Sequence, residues 1–64
     1  MDFEVGDKVR VTRLNPRDEY CVFLGEVVTV ESVALFEEWQ KLRIGRRFSD
    51  GSEFFLWNDD VEAA

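Results

Sequence analysis

Ile44-Gly45-Arg46-Arg47-Phe48-Ser49-Asp50-Gly51-Ser52-Glu53-Phe54-Phe55-Leu56-Trp57 is the stretch that decides the fold. Asp50-Gly51 lies between two runs rich in apolar and aromatic residues, the mark of a β-hairpin. Loop length sets which residues face each other. A two-residue turn puts Ile44 opposite Trp57 and Gly45 opposite Leu56. A three-residue loop, Ser49-Asp50-Gly51, sets Ile44 against Leu56, Arg43 against Trp57 and Arg47 against Glu53. The second arrangement pairs apolar with apolar, basic with acidic, and a guanidinium with an indole. It also gives Gly51 the left-handed position that such a loop demands, so it is the one preferred.

Working outward, three further phrases join a turn signal to a β-branched run. Gly6-Asp7-Lys8-Val9-Arg10-Val11 alternates, with Val9 and Val11 on one side and Lys8 and Arg10 on the other, as a half-buried strand does. Gly25-Glu26-Val27-Val28-Thr29-Val30 opens a second strand, partly apolar on both faces. Asn58-Asp59-Asp60 reads as a tight turn, and Val61 adds a last apolar residue. Between the first two strands, residues 14–24 begin as a loop at Asn15-Pro16, because Pro16 cannot sit inside a ladder.

Residues 33–42 read two ways. Leu35, Trp39 and Leu42 fall at helical spacing and Glu37 precedes Lys41 by four, but Ser32 lacks a capping-box partner. The preferred reading is a loop leading into a strand from about Trp39 to Phe48; a helical turn is the other. The expected core is Val9, Val11, Val28, Val30, Leu42, Ile44, Leu56 and Val61. The fold class is therefore all-β, a small five-stranded barrel formed by one domain over residues 1–64.

The bulk properties narrow the function. A chain of 64 residues holds one core. Fourteen acidic against eight basic residues give a net charge of −6, which repels phosphate backbones and anionic membranes on average. Cys21 is the only cysteine, so no internal disulfide forms, and a small domain without one fits a reducing compartment. Without histidine the chain lacks the commonest general base and transition-metal ligand. The first residues lack the pattern of a signal peptide, and no apolar run approaches the ~20 residues that span a bilayer. A cytoplasmic protein without a cofactor is expected.

These phrases, in this order, resemble small SH3-like barrels, a loose group that includes the KOW motif, the Tudor domain and a small accessory protein of photosystem I. The resemblance covers nearly the whole chain and rests on the Gly6 opening, the Gly25 strand and the closing Asp59-Asp60-Val61-Glu62. Phe23-Leu24-Gly25 is similar to the Phe-x-Gly step of KOW, whose second glycine is replaced by Val28. The Ala-Leu-Tyr-Asp-Tyr signature and Trp-Trp pair of signalling SH3 domains are absent. What the resemblance implies is a binding module of the kind found among small phage and bacterial accessory proteins.

Three constellations could carry that binding. Tyr20, Phe23, Phe36, Trp39, Phe55 and Trp57 form an aromatic set too large for a tiny core. Such rings suit protein interfaces or, beside an acid such as Glu37, Glu38, Asp59 or Asp60, a cation cage; the plain reading is that half of them cap the barrel ends. Lys41, Arg43, Arg46 and Arg47 suit phosphate binding together with Lys8 and Arg10, or simple cross-strand pairing with Glu53 and other acids. Glu37-Glu38 and Asp59-Asp60 match no calcium loop, and Cys21, with no base to activate it, reads as apolar filler. The expectation is a non-catalytic adaptor or inhibitor with a protein partner. Its contact residues would be Tyr20, Phe36, Trp39, Arg43, Arg47, Phe55 and Trp57. The alternative is a KOW-like nucleic-acid module using Lys8, Arg10, Arg43 and Arg47.

Overall fold

The computed structural model describes residues 2–14 and 22–64; Tyr20, Cys21 and most of the loop opened by Asn15-Pro16 lie outside them. Six strands form: β1 (Lys8–Val11), β2 (Val27–Thr29), β3 (Ser32–Phe36), β4 (Trp39–Arg47), β5 (Glu53–Trp57) and β6 (Val61–Ala63). A single 3₁₀ turn, Asn58–Asp60, joins β5 to β6. The strands pair antiparallel into two three-stranded sheets, β2-β1-β6 and β3-β4-β5. The all-β class holds. The closed five-stranded barrel does not: among the described residues there are six strands in two open sheets.

The extra strand is β3. Ser32–Phe36 is neither a loop nor a helical turn; it pairs along its whole length with β4, from Ser32 opposite Arg43 to Phe36 opposite Trp39. The helical spacing of Leu35, Trp39 and Leu42 is a coincidence that cross-strand pairing overrides. Glu37 and Glu38 make the turn between these strands, with Glu37 at φ +57.

One continuous bend links the sheets. The Val30 amide donates to the Asp7 carbonyl at 2.9 Å, extending the β1–β2 pairing. The next amide, Glu31, donates to the Arg43 carbonyl at 2.8 Å, opening the β3–β4 pairing. The chain thus changes sheets between adjacent residues, and Val30, buried at the corner, joins a core fed from both sides.

All eight expected core residues are buried in one cluster with Phe3, Val22 and Phe54. Phe3 enters through Gln40, the one buried polar side chain among the described residues. Gln40 Oε1 accepts from the Phe3 amide at 2.7 Å, and Gln40 Nε2 donates to the Phe3 carbonyl at 2.9 Å. One amide side chain thereby does the work of a strand pairing and holds the N-terminal segment over the core.

The β4–β5 hairpin closes on the three-residue loop expected. The Gly51 amide donates to the Phe48 carbonyl at 2.9 Å, the Phe48 amide donates to the Ser52 carbonyl at 2.9 Å, and Gly51 sits at φ +88. Arg47 faces Glu53 as expected. Beyond that the pairing differs: Leu56 faces Leu42 rather than Ile44, and Trp57 faces Lys41 rather than Arg43, which faces Phe55. Between the Arg43–Phe55 and Arg47–Glu53 pairs, β4 has Ile44, Gly45 and Arg46 where β5 has only Phe54. This bulge is built on Gly45 at φ +75, where a Cβ would run into the Glu31 carboxylate.

Candidate functional site: an aromatic face on the second sheet

Alternation along β4 buries Gln40, Leu42 and Ile44 and turns Trp39, Lys41 and Arg43 outward. The pairings then fix what stands beside them. Phe36 lies opposite Trp39, Trp57 opposite Lys41, and Phe55 opposite Arg43. Four large rings therefore share the outer face, each partly open to solvent: Phe36 51%, Trp57 42%, Trp39 41% and Phe55 38% exposed. The rings that do go inside are Phe3 and Phe54.

Lys41 is the centre of this face. Its ammonium lies 4.2 Å from the Phe55 ring centroid and 5.7 Å from that of Phe36. Phe36 in turn meets Trp57 edge-on, at 6.0 Å between centroids and 76° between planes. Such contacts contribute about 0.5–1 kcal/mol each at exposed positions. They restrict the rotamers of the rings and of Lys41 that are compatible with these distances.

At one end of this face an open cleft of about 310 Å³ is lined by Trp39, Trp57, Arg13 and Asp59. Arg13 is tied down there: its Nε donates to Asp60 Oδ1 at 2.9 Å. Asp60 Oδ2 accepts from the Trp57 amide at 3.0 Å, so one carboxylate holds both the cleft arginine and the backbone beneath the indole. At the other end, Arg43 and Arg47 approach the same Glu53 oxygen at 3.4 and 3.8 Å.

Of the sequence-expected contact residues, Phe36, Trp39, Arg43, Phe55 and Trp57 come together on this face. Arg47 stands past the bulge beside Glu53, and Tyr20 lies outside the described residues. Phe23 is elsewhere, against Leu14, Val22 and Leu24. Sequence reasoning grouped Lys41 with phosphate-binding cations and did not single out Arg13. The period-2 pattern Trp39-Lys41-Arg43 carried the signal for Lys41; Arg13 had none, because its position depends on a contact with distant Asp60.

Of the two readings of the basic residues, pairing with acids is the arrangement seen at the arginines. Every described arginine stands beside an acid: Arg10 by Glu62, Arg13 by Asp60, Arg43 and Arg47 by Glu53, and Arg46 by Glu26. Lys8 reaches Thr29 Oγ1 at 3.4 Å on the other sheet. Among the described residues no group of acids and thiols could hold a metal ion, and no helix is long and apolar enough to cross a membrane. No protein-family model, curated protein or solved structure matches this chain.

Proposed function

We propose that this chain is a non-catalytic protein-binding module, an adaptor or inhibitor on a small SH3-like scaffold, and that the outer face of β3-β4-β5 is its contact surface. The observation that carries the reading is the gathering of Phe36, Trp39, Phe55 and Trp57 around Lys41 on one exposed sheet face. Exposed rings ordered in this way are what interfaces concentrate: large apolar area at low entropic cost. The pairing of each described arginine with an acid supports a protein over a nucleic-acid partner, as does the net charge of −6.

Affinity capture from nuclease-treated and untreated extract tests this. The expected result is a stoichiometric protein retained in both and lost with Trp57→Ala, while circular dichroism shows the variant still folded. Signal that disappears with nuclease would replace this reading with the nucleic-acid one.

A further inference from the structure

The open side of β3 is a second surface on the same sheet, distinct from its aromatic face. Among the described residues β3 has one neighbour, β4, and no other element lies along its far side. An edge strand of this kind offers a row of backbone donors and acceptors. Folded proteins usually guard such edges with lysine, proline or a bulge. Ser32-Val33-Ala34-Leu35-Phe36 carries none of these. Its two faces are both apolar at the open end, with Leu35 73% exposed and Phe36 51% exposed.

Charge decides what can pair there. The strand is uncharged but flanked by Glu31 on one side and by Glu37 and Glu38 on the other. A second copy pairing antiparallel over all five residues, centred on Ala34, would set Glu31 opposite Glu37 of its mate at both ends. Parallel pairing in register would set each glutamate beside itself. Like charges directly opposite are destabilising, and two copies each at −6 repel further. An incoming strand with basic residues at its ends meets the opposite condition.

We propose that the β3 edge takes up an extended segment of a partner protein by strand addition, an apolar β-branched run flanked by lysine or arginine. The added strand would hydrogen-bond to β3, cover Leu35 and Phe36, and place a basic end beside Glu37-Glu38. This rests on the reading of the sheet as a protein-binding surface and names the part of the partner it would hold.

The probe is a synthetic peptide, an alternating valine–threonine run with lysines at both ends, titrated into the isotope-labelled chain. The expected result is shifts and slowed amide exchange confined to residues 31–38, at least tenfold tighter than for the same run ended with glutamates. Leu35→Lys, at an exposed position, should abolish binding without changing the circular dichroism. The double change Glu37→Lys with Glu38→Lys should reverse the preference between the two peptides. Equal affinity for both peptides, shifts only around Trp39 and Trp57, or concentration-dependent dimerisation through β3 would each overturn the proposal. The two readings fail separately: a captured protein lost with Trp57→Ala but indifferent to Leu35→Lys keeps the aromatic face and overturns the edge.

Discussion

Gly45 shows how one residue redirects the outer face of a sheet. It holds φ +75, and a Cβ built on it would meet the Glu31 carboxylate. Of these two constraints the backbone one dominates, because the end of a glutamate side chain can swing away, whereas a positive φ penalises any L-residue by about 1–2 kcal/mol. Gly45→Ala is therefore expected to lower stability by about that amount in urea unfolding. Adding Glu31→Ala should restore little of it; a full rescue would show that the contact, not the backbone, sets the cost. Without the bulge, Arg43 would face Trp57, and Lys41 would lose its place over Phe55, while its contact with Phe36 rests on the separate β3–β4 pairing. Gln40 acts at the same scale. Gln40→Leu keeps the volume but strands the buried amide and carbonyl of Phe3, which costs about 1–3 kcal/mol for a buried unsatisfied group. The chevron or melting curve should show that loss, together with faster amide exchange at Phe3.

At the scale of elements, β4 organises the molecule. It pairs with β3 and β5, sends Leu42 and Ile44 into the core and presents the outer face. Much of this was legible in the chain. Alternation marked Val9, Val11, Val28, Val30, Leu42, Ile44, Leu56 and Val61 as core because a half-buried sheet imposes period two. The Ser49-Asp50-Gly51 loop was legible because turn geometry is local and needs glycine at its left-handed position. β3 was not, because Leu35, Trp39 and Leu42 fit helical spacing as well as a strand and only pairing with β4 decides. Neither was the bulge, which depends on Gly45 holding a positive φ inside a strand and on how β4 and β5 pair on either side of it, nor the Gln40–Phe3 link across 37 positions. The aromatic face inherited both outcomes: its rings could be listed from the sequence, but Phe36 is placed by the β3–β4 pairing and Phe55 and Trp57 by the shifted β4–β5 pairing.

The hairpin loop also carries a pH signature. The Ser52 hydroxyl and amide bond the Asp50 carboxylate, at 2.5 and 2.9 Å, and hold its pKa below the ordinary 3.8. A carboxyl depressed in the folded state stabilises that state above its unfolded pKa. That contribution fades as pH falls through the lower folded value. Titration followed at the Ser52 amide should therefore show a midpoint below 3.8. A midpoint at or above it would mean that the loop bonds do not persist in solution.

For the whole molecule, acidity and aromatic exposure divide the work. Excess acid adds a net repulsion between copies of the chain, and each described arginine stands beside an acid. Those pairs are exposed, so they set geometry more than stability. In the proposed reading, recognition falls to the aromatic surface, whose energetics depend on burial rather than on counterion release. Such binding should respond weakly to salt, whereas a phosphate-contacting surface loses affinity steeply as salt rises.

Calorimetric titration of the captured partner against the wild-type chain and Trp57→Ala, each at low and high salt, tests the aromatic face most directly. The predicted result is an affinity that changes little with salt and falls by more than about tenfold in the variant, as expected when an aromatic anchor is truncated. An affinity unchanged by Trp57→Ala and falling steeply with salt would contradict the assignment of the aromatic face as the contact surface.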